Sequence, residues 1–318
     1  MKLAVLMDPL EKLKPYKDTT LAMLNAGHEL GWECAFFTQD DLYCRLGHAY
    51  ARMHAIQIED LSRKDWFKTH DLGEQALKEF DIILMRRDPP FDMEYIYATY
   101  ALELAEKEGV LIANKPQSLR DANEKFYTLN FPQCCPPTLV SRDIVRLKSF
   151  WEEYRNVIFK PLEGMGGNSV FHVNEKGENL SVILEVLTKG QKVSIMAQKY
   201  IPEIKTAGDK RILLINGEPV SHALARIPAK GELRGNLAAG ARGEVIAINE
   251  RDRWICQQIG PTFKERGLYF VGIDVIGDYL TEINVTSPTC LQEIAKETGL
   301  DIAGEYLRCL QSLVSEKK

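Results

Sequence analysis

The sequence has 318 residues, too long for a single hydrophobic core to be the default, so two or three subdomains that share an interface are expected. A formal charge of −5 offers no general attraction to nucleic acid or anionic membranes, so neither is expected as a partner. There is no run of 18 apolar residues, and Asp8 and Pro9 interrupt the first apolar stretch, which predicts a cytoplasmic protein without a membrane span or signal peptide. The seven cysteines show no CxxC or His/Cys ligand spacing, which favours reduced thiols over a zinc site.

The first third of the chain alternates short apolar runs with helix-length stretches. Helices are predicted over 18–30, with Asp18 as N-cap, and over 92–108. Strands are predicted in "KLAVLM", "WECAFF", "FDIILMRRDPP" and "VLIANKP". This alternation indicates an α/β domain whose parallel sheet is covered on both faces. No GxGxxG follows the first strand, so a dinucleotide-binding turn is not expected there.

The rest of the chain mixes helix and strand signals with glycine-rich turns. "NVIFKPLEGMGGNSVFHV" predicts strand, turn and strand, and "VSIMAQKYI" predicts another strand. Asn216-Gly217 lies between two apolar runs, which is a strong hairpin signal. Helices are predicted over 179–188 and 251–266, a second hairpin over 269–285, and helical segments at the C-terminus.

The turn in "KPLEGMGG" combines a lysine at a strand end with three glycines. Glycines at 164, 166 and 167 let backbone N–H groups approach anionic oxygens, and Lys160 adds a positive charge. The order of these residues differs from a Walker A loop. The turn is therefore either a phosphate cradle or a flexible hairpin tip with an exposed lysine.

The second hairpin, "FVGIDVIGDYLTEIN", has a register that hydrophobic alternation fixes. Pairing Ile273 with Ile283 requires a three-residue loop, 277–279, whereas a two-residue loop would separate the polar side chains onto opposite faces. Opposed carboxylates repel each other unless a cation lies between them, and an all-oxygen set favours magnesium over zinc. A solvated polar face is the alternative. The proposed ligands share one face and are Asp274, Glu282 and Asn284.

A phosphate cradle and a magnesium set together describe a nucleoside triphosphate held for phosphoryl transfer. "MAQKYI" adds a strand on which an adenine could stack at Met196 or Ile201, although an ordinary core strand has the same pattern. Further cations accompany these motifs at Lys125, Lys199, Arg211 and Arg226.

The stretch "RIPAKGELRGNLAAGARGE" (226–244) has neither a helical nor a strand period. Its glycines and cations are compatible with a solvated surface loop, a disordered segment or a lid. Because it lies between the possible phosphate cradle and the possible magnesium hairpin, a lid over 227–242 is predicted, whose glycines permit movement.

Seven ordered blocks of this sequence resemble the prokaryotic glutathione synthetase family of ATP-grasp ligases, over nearly the whole chain. The blocks are "VLMDP", "ILMRRDPPFD", "NKPQSLRDANEK", "KPLEGMGG", "ARIPAKGELRGNLAAGARGE", "IGPTFKERGL" and "VGIDVIGDYLTEINVTSPT". The resemblance implies a Rossmann-like domain over 1–120, followed by an α+β ATP-grasp fold of two subdomains. These are a central lid subdomain over 121–201 and a C-terminal subdomain over 202–318 that carries the mobile loop 227–242.

The family's reaction joins γ-glutamylcysteine to glycine through an acyl phosphate, with ATP as co-substrate and Mg²⁺, or alternatively Mn²⁺, as cofactor. The resemblance also implies a homotetramer. Two rivals remain open at this point: another ATP-grasp carboxylate–amine ligase with a different acceptor, and an ATP-binding regulatory protein without turnover.

The resemblance implies roles residue by residue. The ATP-binding positions are Lys125, Lys160, Gly164, Gly166, Gly167, Gln198, Lys199, Tyr200, Ile201, Asp209 and Arg211. The magnesium ligands are Asp274, Glu282 and Asn284, and the peptide pocket is lined by Arg86, Arg226, Thr286 and Ser287. The catalytic set is Lys160, Arg211, Arg226 and Arg234.

Overall fold

The computed structural model describes residues 1–58, 66–164, 169–229, 231–232, 235 and 240–317. Over these residues the chain forms three sheets flanked by eight α-helices. Both helices and strands are substantial, so the structure is mixed α/β as the sequence predicts.

The first sheet contains the four parallel strands that the sequence predicts, in the order β2-β1-β6-β7. Their bounds are β1 (Lys2–Leu6), β2 (Glu33–Phe37), β6 (Ile82–Met85) and β7 (Leu111–Ala113). Helix α1 (Thr19–Glu29) begins at Asp18, whose carboxylate accepts from Leu21 N at 2.8 Å, and α2 (Met93–Lys107) begins at Asp92. Both predicted N-terminal helices are confirmed.

Three further strands extend this sheet in antiparallel fashion, and the sequence reasoning missed them. They are β3 (Leu42–Arg45), β4 (His48–Ile58) and β5 (Phe67–Ala76). The predicted parallel sheet is therefore a mixed sheet. Much of β5 faces solvent, so its hydrophobic alternation is weak and gives little signal.

A four-stranded antiparallel sheet follows, in the order β10-β9-β11-β8. It confirms the strand, glycine-rich turn and strand around Lys160, because β9 and β10 pair with each other. The strands are β8 (Thr138–Ser141), β9 (Val157–Pro161), β10 (Phe171–Val173) and β11 (Ile195–Lys199). Its helices are α4 (Ile144–Tyr154), which was not predicted, and α5 (Leu180–Leu187), which was. Helix α3 (Pro116–Asp121) lies before this sheet in the chain.

The third sheet is antiparallel, in the order β14-β13-β12-β15-β16. The first hairpin turns at Asn216-Gly217 as predicted, with positive φ at both residues. The strands are β12 (Asp209–Ile215), β13 (Glu218–Ile227), β14 (Arg242–Ala247), β15 (Phe270–Ile276) and β16 (Tyr279–Asn284). The helices are α6 (Glu250–Glu265), α7 (Leu291–Thr298) and α8 (Ile302–Lys317).

The second hairpin keeps the predicted pairs, Ile273 with Ile283 and Asp274 with Glu282, but not the predicted loop. Ile276 pairs with Tyr279, so the turn has two residues and the expectation of a three-residue loop was wrong. A β-bulge between the turn and the carboxylates restores the register. Its extra residue is Thr281, whose hydroxyl donates to the Asp274 carbonyl at 3.0 Å.

The hydrophobic cores divide unevenly among the three sheets. One core packs Ala4 and Leu6 of β1 with α2 and with Ile212 of the five-stranded sheet. The opposite face of β1, with Leu3 and Val5, packs with α1, α7 and α8. The four-stranded sheet has a separate core among its own residues. The first and third sheets therefore share two cores, while the four-stranded sheet has a core of its own.

Candidate active site

A cavity of about 870 Å³ opens between the four-stranded and five-stranded sheets and the carboxyl ends of the N-terminal strands. Most of the predicted site residues lie on its wall. They are Lys125, Lys160, Gly164, Gln198, Lys199, Tyr200, Ile201, Asp209, Arg211, Arg226, Asp274, Glu282, Asn284, Thr286 and Ser287. Residues that are far apart in the chain thus meet in one place.

Among the predicted site residues that the structure describes, Arg86 is the one that does not line this cavity. It is buried behind it, where its guanidinium donates to Thr20 Oγ1 at 3.2 Å and to the Pro288 carbonyl at 3.0 Å. Pro288 itself lines the cavity. The predictions at Gly166, Gly167 and Arg234 lie outside the described residues, as does much of the predicted lid.

The most buried part of the site is a cluster of carboxylates and arginines on neighbouring strands. Arg211 on β12 pairs in register with Asp274 on β15, and its Nε and Nη2 donate to the two carboxylate oxygens at 2.5 and 3.0 Å. Arg226 on β13 reaches the same carboxylate at 3.0 Å. Burial alone would raise the pKa of Asp274, but the two guanidinium groups outweigh it and hold that pKa well below its usual range.

Arg226 pairs with Asp209 as well as with Asp274, but the pKa values of the two carboxyl groups shift in opposite directions. Its Oδ2 accepts from Arg226 Nη2 at 2.6 Å, while its Oδ1 is buried and has no hydrogen-bond partner in the described part of the chain. Burial raises the pKa of Asp209 to about 7; Arg226 opposes this shift, while Asp274 and Glu282 add to it. The site therefore holds one firmly ionised carboxylate and one that titrates near neutrality.

The oxygen set predicted for a metal faces the cavity. Asp274 lies opposite Glu282 in the hairpin, and Asn284, two residues further along β16, donates to Asp274 at 3.4 Å. Within the described ranges no group of three or more His, Cys, Asp or Glu side chains is arranged to hold a metal ion. Two carboxylates and an amide carbonyl leave several positions for phosphate and water oxygens, which is the coordination that Mg²⁺ usually adopts in nucleotide sites. The donor set fits magnesium.

Two lysines approach the carboxylates from the other side. Lys160 on β9 lies 3.5 Å from Glu282 Oε1 and donates to the Thr281 carbonyl at 3.4 Å. Lys125 donates to the Gly164 carbonyl at 3.0 Å and pairs with Glu124. Both lysines are buried, so they concentrate positive charge beside the hairpin.

Sequence reasoning missed Glu124, which lines the cavity beside Lys125. Burial, and secondarily Glu282, raises the pKa of this carboxyl. It also missed His172, which lines the cavity on β10. A single acidic residue and a single histidine carry no spacing signal, and only the strand pairing brings them to the site.

The N-terminal sheet contributes the remaining wall. Asp88, which follows β6, lines the cavity and accepts a hydrogen bond from Ser287. Its backbone N–H donates to Asp8, which follows the neighbouring strand β1, at 2.7 Å. Parallel strands commonly bind ligands at their carboxyl ends, and this edge of the sheet closes the cavity beside the Thr286 turn.

Among the described helices, none combines the length and the apolar character needed to cross a membrane.

The N-terminal residues 1–120 match the family model for the prokaryotic glutathione synthetase N-terminal domain. Residues 124–299 match that for the prokaryotic glutathione synthetase ATP-grasp domain. Two sequence models of one family thus follow each other along nearly the whole chain.

Curated relatives agree with these matches. The chain is 56% identical over 295 residues to a glutathione synthetase of Pseudomonas aeruginosa, covering 92% of each chain. It is 49% identical over 319 residues to that of Escherichia coli K12, covering 100% of each, and 47% identical over 312 residues to that of Coxiella burnetii, covering 98% and 97%.

Solved structures share the fold. A D-cycloserine synthetase, DcsG, superposes with a TM-score of 0.68 over 100% of each chain at 15% identity. The ATP-grasp ligase PsnB, complexed with a precursor peptide and AMPPNP, gives 0.63 over 99% and 98% at 15% identity. At such identities the likeness concerns the fold alone. With the sequence matches, it leads to one conclusion: the chain belongs to the prokaryotic glutathione synthetase family and has the ATP-grasp fold.

Proposed function

We propose that this protein joins γ-glutamylcysteine to glycine with ATP, forming glutathione, ADP and phosphate. The observation that carries the proposal is the buried cluster at the cavity floor, where Arg211, Arg226, Lys125 and Lys160 surround the opposed carboxylates of one hairpin. Such a cluster suits the transfer of a phosphoryl group, whose catalysis depends mostly on positioning and on neutralising charge. The identity of the substrates is inferred from the family to which the chain belongs.

The nucleotide lies along the four-stranded sheet. Its base occupies the segment from Gln198 to Ile201, and its phosphates reach Lys125, Lys160 and the backbone around Gly164. Support comes from the positions of these residues on one cavity wall. Gly166 and Gly167 complete this cradle in the proposal.

Asp274, Glu282 and Asn284 would hold Mg²⁺, with Mn²⁺ as an alternative. When bound, the ion supplies positive charge that offsets the phosphate oxygens. Arg211 and Arg226 already neutralise Asp274, so Glu282, held only loosely by Lys160 at 3.5 Å, is the freer ligand. The negative phosphates of the nucleotide would balance the positive charge of the lysines and arginines around Glu282.

The chemistry needs no side-chain nucleophile. The cysteinyl carboxylate of the peptide attacks the γ-phosphorus of ATP, and ADP leaves. Lys160, Arg211 and Arg226 stabilise the charge that develops on the transferring group, with Arg234 as a further cation from the lid. The glycine amine then attacks the acyl phosphate and displaces phosphate.

An acyl phosphate must be protected from water, and we assign that role to the loop 227–242. Gly235, in this loop, approaches the site closely: a Cβ built there would lie 2.8 Å from Asp209 Cβ and 3.0 Å from the Arg226 carbonyl. Only glycine fits at that distance without movement. The backbone at Gly235 therefore packs directly against Asp209.

The peptide pocket is assigned to Arg226, Thr286 and Ser287, with Arg86 beneath them. Arg86 donates to the Pro288 carbonyl, so it supports the turn that presents Thr286 and Ser287. The division into domains at 120 and 201, the homotetramer and the cytoplasmic location remain parts of the same proposal.

The deciding experiment measures ADP release from ATP with γ-glutamylcysteine and glycine, each omitted in turn. The proposal expects turnover only with both present, together with one glutathione per ADP. Turnover without glycine, or faster turnover with another amine, would favour a different carboxylate–amine ligase. No turnover with both would indicate a nucleotide-binding protein without this activity.

A further inference from the structure

The cavity face of the four-stranded sheet carries one row of side chains that crosses all four strands. His172 pairs with Ile158, Ile158 with Gln198, and Gln198 with Thr138. Paired residues of an antiparallel sheet lie on the same face, and neighbouring strands are about 4.8 Å apart. His172 therefore lies one strand away from Ile158 on the cavity wall.

The centre of this row is apolar. Ile158 lines the cavity together with Ile201, Ile204 and Ile276, which makes a slot suited to a flat heterocycle. Lys160 follows Ile158 by two residues and so lies on the same face of β9. A nucleotide whose phosphates reach Lys160 has its base over Ile158, with His172 at the edge of that base.

The His172 ring, which lines the cavity, carries one nitrogen without a hydrogen-bond partner in the described part of the chain. The ring stacks on Tyr200, with centroids 4.2 Å apart and planes at 24°. Its Nε2 is buried without a hydrogen-bond partner among the described residues. Burial, and then Lys205, lowers the pKa of His172, so the ring is neutral near pH 7 and one nitrogen can accept. A buried polar atom without a partner gains most when a ligand supplies one.

Gln198, on the other side of Ile158, is already engaged. Its Nε2 donates to Thr138 Oγ1 at 3.2 Å, within the same row. The Tyr200 hydroxyl is also buried without a partner in the described part of the chain, but Tyr200 follows β11 and lies outside the row. Among the three cavity-facing positions of the row, His172 offers the unpaired atom.

We propose that His172 determines nucleobase specificity, with its Nε2 accepting a hydrogen bond from the amino group at C6 of adenine. The inference rests on the proposed function only in taking ATP as the nucleotide. It identifies the feature of the base that the site reads.

The test compares ATP with purine riboside 5′-triphosphate, which lacks the amino group. Dissociation constants are measured by calorimetry on the full chain with Mg²⁺ and without peptide or glycine. The wild type is expected to prefer ATP. His172→Phe keeps an aromatic ring against Tyr200, and it should weaken ATP binding about fivefold to tenfold, as for one lost hydrogen bond. Its affinity for the amino-free nucleotide should be unchanged, so the preference disappears.

His222→Phe is the matched control, because His222 lies on β13 outside the cavity wall; it should leave both affinities as in the wild type. Equal weakening for both nucleotides would mean that the ring only packs, and an unchanged preference in His172→Phe would mean that another atom reads the base. Tyr200→Phe abolishing a preference that His172→Phe retains would transfer the role to Tyr200. Each of these results overturns the assignment. Binding is measured without turnover, so a failure to form glutathione would not affect this test.

Discussion

The four-stranded and five-stranded sheets face the same cavity, yet different contacts stabilise them. The five-stranded sheet shares two cores with the N-terminal sheet. Across that boundary Asn114 bonds to the backbone of Phe270 on β15, and Arg86 bonds to the Pro288 carbonyl just after β16. The four-stranded sheet has its own small core. It reaches the charged cluster mainly through Lys160, at 3.4 and 3.5 Å. The carboxylates and arginines thus lie on a sheet that shares its cores with the N-terminal sheet, whereas the four-stranded sheet, on which we propose that the base binds, is packed separately.

This difference in packing matches the two roles that we propose for the sheets, phosphoryl transfer on the five-stranded sheet and binding of the base on the four-stranded sheet. Groups that act on the transferring phosphoryl must be held in place before the nucleotide binds, since catalysis depends on preorganised charge. The four-stranded sheet has its own core, so a change in its packing is expected to leave those groups in place. We therefore expect mutations in the two sheets to differ in how far their effects spread.

The largest effect should come from Asp274→Asn. The change leaves Arg211 and Arg226 buried with a weaker partner, and breaking a buried ion pair costs about 3–5 kcal/mol. Glutathione formation should fall at least ~100-fold, because a proposed metal ligand and the charge balance are both lost. Urea denaturation and ADP release measure the two effects.

Asp121→Asn is the control for that variant. Its carboxylate pairs with Arg266 at 3.2 Å, where both side chains are more than one-third exposed. Such surface pairs contribute about 1 kcal/mol or less. A loss of stability in Asp274→Asn no larger than in this control would show that the cluster is not firmly held.

A pair of cavity-forming variants tests the separation of the cores directly. Leu184→Ala in the four-stranded unit and Leu214→Ala in the five-stranded sheet each remove a fully buried side chain, at a cost of about 2–5 kcal/mol. Hydrogen exchange should show faster opening confined to 138–199 for Leu184→Ala. For Leu214→Ala it should extend into the N-terminal sheet. The same spread for both variants would contradict the comparison.

Asn114→Ala should have a smaller effect at the domain boundary. This buried amide donates to the Phe270 and Val285 carbonyls at 2.8 and 2.7 Å and accepts from Phe270 N at 2.9 Å. Losing it leaves buried backbone groups unpaired, at about 1–3 kcal/mol. The Mg²⁺ concentration needed for half-maximal activity should also rise, because these contacts hold both strands of the hairpin that carries the proposed Mg²⁺ ligands. Gln191→Ala, which removes an exposed contact to Ile144 on the four-stranded unit, should leave that requirement unchanged.

The most gradual effect concerns pH. Burial raises the pKa of Asp209 from 3.8 to about 7, so between these values the folded state binds more protons than the unfolded state. The stability contributed by this group is complete below pH ~4 and is lost as the pH rises through the folded pKa. Between pH ~5 and ~7 the free energy of unfolding should fall by about 1 kcal/mol per unit from this group. Asp209→Asn should remove that slope, whereas the exposed Asp40→Asn should keep it.

How much of this could be read from the sequence differs between the sheets. Alternation fixed the pairs Ile273 with Ile283 and Asp274 with Glu282, because one face is core and the other is polar. The bulge at Thr281 was not predictable, since it depends on a side-chain bond to the Asp274 carbonyl. Local periodicity also cannot reveal a half-exposed strand such as β5.

The site itself shows the same limit. Lys160 and Gly164 belong to a local sequence pattern, so their place at the cavity could be predicted from the sequence. His172 lines the cavity because β10 pairs with β9, and Glu124 lines it beside Lys125. No local sequence pattern around either residue indicates this position. An arginine such as Arg86 could bind a substrate carboxylate, but in the structure its guanidinium donates hydrogen bonds to Thr20 Oγ1 and to the Pro288 carbonyl.

The most direct test of the central claim follows one oxygen atom. γ-Glutamylcysteine labelled with ¹⁸O at both oxygens of its cysteinyl carboxylate is converted with ATP and glycine, and the phosphate is analysed by mass spectrometry. Attack of that carboxylate on the γ-phosphorus predicts one ¹⁸O transferred to each phosphate formed. Unlabelled phosphate, with the label retained in the peptide product or lost to water, would contradict the account.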